Sequence, residues 1–102
     1  MGHEQTRYVD HVVVNQDLET IGTVTDVLYD DGAGAPKWLI VKPGAFQAER
    51  YVPTAGSYTT DDGNIVVPFE KRWVKAAPKA GDHIMTSDVE DEATQHYDVE
   101  LP

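Results

Sequence analysis

A chain of 102 residues with 8 basic and 18 acidic side chains, a net charge of −10 and no cysteine is the size of one domain with one core. Thiol chemistry, zinc–thiolate centres and iron–sulfur clusters are excluded. The acidic balance also disfavours direct nucleic-acid binding, because the phosphate backbone repels it. The charge is unevenly spread: seven of the basic groups fall between residues 37 and 79, and residues 80–102 carry seven acids and no base. Such a basic middle between acidic ends either neutralises itself on a solvated surface or steers an oppositely charged protein partner.

The first residues carry acid and amide groups where a signal peptide would have bases followed by an apolar run, and no apolar stretch approaches the roughly twenty residues of a membrane span. A soluble, cytoplasmic protein is therefore expected. Val12-Val13-Val14 is a β-branched run that predicts a first strand. Asn15 to Glu19 turns the chain, and Ile21 to Tyr29 reads as the second strand. Val24 and Val27 stand three apart there, against the period of two, so a bulge near Thr25-Asp26 is needed to keep both inward. Asp30 to Pro36 is a glycine-containing loop.

Trp38 to Val41 is apolar at four consecutive positions, which predicts a strand covered on both faces, one by the interior and the other by a helix, a loop or a second subunit. Pro43-Gly44 ends it. Arg50 to Pro53 follows as a strand that Pro53 closes or confines to an edge. Ser57–Thr60 and Asn64–Val67 flank Asp61-Asp62-Gly63, an Asp-Gly hairpin signal. Phe69 to Ala76 reads as one or two helical turns stopped by Pro78. Ser87-Asp88-Val89-Glu90 has the spacing of a capping box and predicts a terminal helix of about ten residues, ending at His96-Tyr97. Its apolar stripe of Val89, Ala93 and Tyr97 is narrow, so weak packing is expected.

Residues able to carry chemistry are sparse. His3, His11, His83 and His96 lack short metal-ligand spacing. Asp30-Asp31-Gly32 and Asp61-Asp62-Gly63-Asn64 read as turns and lack the alternating oxygens and distal glutamate of a calcium loop. Gly32-Ala33-Gly34 lacks the glycine, lysine and helix start of a phosphate cradle. No serine lies in a nucleophile elbow, and Ser87 reads as a helix cap. No catalytic residue, cofactor or metal is expected. Two features suit a partner instead. Lys71, Arg72, Lys75 and Lys79 surround Trp73, as in contacts with RNA or an acidic protein, although Trp73 also suits a plug at the end of a barrel. Of the aromatics Trp38, Phe46, Tyr51 and Tyr58, most must fill the core, but Phe46 falls on a loop; exposed beside Trp38 or Tyr51, it would mark a partner or dimer surface. The candidate interface is thus Trp38, Phe46, Tyr51, Arg72 and Trp73.

The series Ile21-Gly22-Thr23-Val24, Asp26-Val27-Leu28 with Asp30, Trp38-Leu39-Ile40-Val41, Gly44-Ala45-Phe46, Val52-Pro53, Val67-Pro68-Phe69, Ala77-Pro78 and His96-Tyr97 resembles a PRC-barrel domain. Each piece is common, but their order over most of the chain is specific. The resemblance implies an all-β barrel of about six strands with a short C-terminal helix, spanning 9–97 between a flexible segment, 1–8, and an acidic tail, 98–102. One departure stands out: relatives carry an Asp-Gly turn before the Ile-Gly strand, whereas here Leu18 occupies it. The family's motifs are structural, so the resemblance implies a non-catalytic protein-interaction module, either self-associating as a homodimer or acting as an adaptor. Relatives include the cytoplasmic domain of the reaction-centre H subunit and the C-terminal domain of a ribosome maturation factor. A ribosome maturation or RNA-processing accessory, or an assembly factor for a photosynthetic or membrane complex, are the alternatives the resemblance supplies. The membrane helix of the first and the N-terminal domain of the second are missing from this sequence, so neither role is expected to transfer directly.

Overall fold

The computed structural model describes residues 8–29, 36–81 and 83–98. Of the loop expected at Asp30 to Pro36, residues 30–35 lie outside them, as do most of the segments 1–8 and 98–102, while Pro36 opens a strand. Six strands form one mixed sheet: β1 (Val12–Val14), β2 (Thr20–Tyr29), β3 (Pro36–Lys42), β4 (Arg50–Pro53), β5 (Tyr58–Thr59) and β6 (Ile65–Val66). Their spatial order is β4-β3-β2-β1-β6-β5, with β1 and β6 parallel and the other pairs antiparallel. β4 and β5 are the two ends of this order, so among the described residues strand pairing does not close the sheet into a barrel. On the outer side of β4 the chain instead supplies residues 78–80. Tyr51 N–H reaches Pro78 O, and Ala80 N–H donates to Glu49 O at 2.9 Å. The edge that Pro53 confines is thereby covered.

The bulge lies where the valine spacing requires it. Val24 pairs with Val41 and Asp26 with Ile40, leaving Thr25 as the extra residue. One face of the sheet consequently carries Val24, Val27, Leu39, Val41 and Val52, all buried. The other carries Leu28, Trp38, Ile40 and Tyr51. Without the extra residue Val24 and Val27 would face opposite ways, and one would leave the face that holds Leu39, Val41 and Val52.

Two helices complete the fold, α1 (Lys71–Lys75) and α2 (Ser87–Tyr97). The cap of α2 is Thr86, whose hydroxyl accepts from Val89 N–H at 3.3 Å, so the expected Ser87 cap moves by one residue. The reason is tertiary: Glu90, the expected partner in a capping box, turns its carboxylate to Lys37 and Trp38. The narrow stripe packs better than expected. Ala93 and Tyr97 are fully buried, and Tyr97 lies against Phe69 and Trp73 with ring centroids 4.7 and 6.1 Å away. Tyr97 also donates its hydroxyl to Tyr51 O at 2.5 Å, and burial pushes its phenol pKa up. No helix among the described residues is long and apolar enough to cross a membrane.

Candidate functional site

Of the five residues expected at an interface, two are interior. Trp38 and Tyr51 are each 1 % exposed and meet edge to face, with centroids 6.3 Å apart. They cannot form a surface, because residues 83–97 of the same chain cover their face: Tyr51 donates to Ile84 O at 2.9 Å and Trp38 to Glu90 at 3.1 Å. The second cover expected over Trp38–Val41 is thus intramolecular.

Trp73 is 37 % exposed and fastened in place. Its indole N–H donates to His96 O at 2.9 Å, and His96 Nε2 returns a hydrogen bond to Trp73 O at 2.7 Å. Phe69 and Tyr97 close over the rest of the ring. The indole is therefore a plug between α1 and α2, not a free stacking platform. Lys71, Arg72 and Lys75 project into solvent beside it, and no described carboxylate lies within ion-pair reach of them.

Phe46 is fully exposed, in a turn closed by Gln47 N–H on Gly44 O at 3.1 Å. This loop leaves β3 beside the start of β2, since Thr23 pairs with Lys42. The β1–β2 turn lies at the same end of the sheet. There the buried Asn15 side chain accepts from the N–H groups of Asp17 and Glu19, both at 2.9 Å, and donates to the Glu19 carboxylate at 2.8 Å. These bonds hold Leu18 in the left-handed region, φ 67°, with its side chain 67 % exposed. Between the first half of β2 and the end of β3 with its loop runs an open groove of about 460 Å³, lined among others by Thr20, Gly22, Thr23, Lys42 and Pro43. Gly22 allows this close approach: a Cβ there would overlap Lys42 O and come within 2.9 Å of Pro43 Cα.

A polar cluster borders the groove at Thr25. The Thr25 hydroxyl donates to Glu49 at 2.5 Å, Glu49 meets His83 Nε2 at 2.7 Å, and His83 Nδ1 meets Asp26 at 3.0 Å. Both ring nitrogens thus face carboxylate oxygens, which only accept, so the ring satisfies both as an imidazolium. Glu49, aided by Asp26 and opposed by burial, holds the His83 pKa above its usual value; the Thr25 hydroxyl and then His83 hold the Glu49 carboxyl below its own. Such a ring has no free nitrogen with which to take a proton from a substrate. Among the described residues no three metal-ligating side chains are arranged to hold an ion. Sequence reasoning missed this cluster because Asp26, Glu49 and His83 are 23 to 57 residues apart; the bulge at Thr25-Asp26 was its one visible trace.

The sheet order, the Gly22 approach and the C-terminal segment can be set beside known families. The profile of the PRC-barrel domain matches residues 5–92, nearly the whole chain. The chain belongs to the PRC-barrel family. No curated protein matches it closely enough to transfer a function to this PRC-barrel domain. Its Ile21-Gly22 step is the β2–β3 approach point, and Leu18, in the turn before that step, sits at positive φ.

Proposed function

We propose that this PRC-barrel domain is a non-catalytic protein-interaction module whose contact surface is the sheet end bearing Leu18 and Phe46, and that its occupant is a second copy of the chain. The observation that carries this reading is the pair of large exposed apolar side chains, Leu18 and Phe46, on the two turns at one end of the sheet. Charge supports self-pairing. The same end presents exposed Lys42 on one side and exposed Asp17 and Glu19 on the other, and two copies related by a two-fold axis bring opposite signs together.

Magnitudes limit the strength of the pair. Burying a Phe or Leu side chain contributes about 1.5–3 kcal/mol, so the four in a symmetric pair supply roughly 6–12 kcal/mol. Association costs about 4–15 kcal/mol in lost freedom. The balance favours a weak, reversible dimer rather than a permanent one. Sedimentation velocity over a concentration series, with wild type and Phe46→Ser side by side, tests this. The wild type is expected to sediment faster as concentration rises and the variant to remain a monomer; a wild type monomeric throughout would overturn the reading.

A second reading, a ribosome or RNA-processing accessory, is supported by the unpaired Lys71, Arg72 and Lys75. Since Trp73 is occupied as a plug, any such contact rests on charge rather than stacking. Charge reversal of the three bases that leaves ribosome association intact would remove it.

A further inference from the structure

We infer that His83 is a proton-operated clasp, holding the approach to α2 against the sheet when its ring is charged and loosening it when the ring is neutral. The clasp joins three separate parts of the chain: Asp26 on the β2 bulge, Glu49 just before β4, and His83 after the Ala80 pairing. Each carboxylate is positioned by other groups. Asp26 Oδ1 accepts from Val27 N–H at 2.8 Å, while Glu49 Oε2 is taken by Thr25, with Lys42 adding an attractive charge. These are the titratable and charged groups that face the ring among the described residues.

A neutral imidazole has one N–H, so one of the two carboxylates would face a ring lone pair at hydrogen-bond distance. Other bonds also hold this stretch, His83 N–H on Ala80 O at 3.3 Å and the Tyr51 hydroxyl on Ile84 O at 2.9 Å, but its apolar packing is slight. Ile84 is largely exposed, Thr86 is exposed and Met85 is only half-buried, so residues 83–86 bury little apolar surface. His83 itself has φ 58°, a conformation that a non-glycine residue keeps only where its surroundings impose it. Further on, Ala93 and Tyr97 are buried and anchor α2 without reference to the clasp. The opening is therefore local to 83–86.

The sign follows from the two shifts. His83 is raised from 6.5, so its contribution is complete below 6.5 and is lost as pH rises through the raised value. Glu49 is lowered from 4.5, so its contribution is present above 4.5 and is lost as pH falls through the lowered value. The clasp is tightest between 4.5 and 6.5.

The test is an NMR titration of the full chain, following the His83 ring nitrogens together with amide exchange at Ile84 and Met85, corrected for base catalysis. His83 is expected to titrate above 6.5. Exchange at Ile84 and Met85 should accelerate severalfold through that same midpoint, with Ala93 and Tyr97 unaffected. Glu49→Gln should draw the midpoint back toward 6.5, and His83→Gln should abolish the exchange transition. A His83 midpoint at or below 6.5, or an exchange transition that survives in His83→Gln, would overturn the inference. If His83→Gln does not fold, the wild-type midpoint and the Glu49→Gln shift decide.

Discussion

Trp38 and Glu90, 52 residues apart, are joined by a hydrogen bond of 3.1 Å from the indole N–H to the carboxylate, and Lys37 reaches the same oxygen at 2.9 Å. This bond fixes α2 over the Trp38 face of the sheet and draws Glu90 away from the helix cap. Glu90→Ala leaves a buried indole N–H without its acceptor, which is expected to lower unfolding free energy by about 1–3 kcal/mol. Lys37, followed by Trp38, holds the Glu90 carboxyl below its usual range, so this contribution is present above 4.5 and fades as pH falls through the lowered value. Urea unfolding of both proteins should show a gap that narrows in acid.

Leu18 occupies a left-handed position that glycine fills without steric penalty. Leu18→Gly is expected to raise the stability of the monomer by about 1 kcal/mol, the cost of that conformation for a residue with a Cβ. If Leu18 belongs to the contact surface, the same variant should also associate more weakly. Denaturation at low concentration and sedimentation at high concentration separate the two effects.

Gly22 lies where β2 and β3 approach most closely. Gly22→Ala must push the Lys42–Pro43 backbone aside, and overpacking of this kind costs about 1–3 kcal/mol. A loss of that size in thermal or urea unfolding is expected, together with altered amide shifts in the loop that carries Phe46.

Trp73 is expected to act on stability before it acts on binding. Trp73→Ala removes a ring packed on Phe69 and Tyr97 and the indole hydrogen bond to His96 O, leaving the main-chain acceptor of His96 Nε2 in place. A loss of about 2–4 kcal/mol follows, somewhat reduced from a fully buried case because part of the ring is exposed. Arg72→Ala should leave unfolding nearly unchanged, as surface substitutions usually do.

Much of the sheet was legible because strands announce themselves locally. Arg50–Pro53 matches its strand residue for residue, the three-residue step from Val24 to Val27 located the bulge, and Asp61-Asp62-Gly63 located the hairpin, whose Gly63 has φ 87°. What failed was the placing of Trp38 and Tyr51 at an interface. Trp38 and Tyr51 have the composition of an interface, but whether such a ring is surface or core depends on where residues 83–97 return. The His83 clasp was invisible for the same reason, since Asp26 on β2 and Glu49 before β4 are remote from it in sequence. Phe46 was readable because a residue in a short turn of small side chains has little of its own chain to pack against.

The central claim is that the sheet end carrying Leu18 and Phe46 is a contact surface for a second copy. The measurement that bears on it most directly is a nitrogen–proton correlation spectrum of the full chain recorded through a dilution series from the millimolar to the micromolar range. The account predicts concentration-dependent shifts confined to residues 15–23 and 42–49, and their loss in Phe46→Ser. Shifts that are absent at every concentration, or that cluster on Lys71, Arg72 and Lys75 instead, would contradict it.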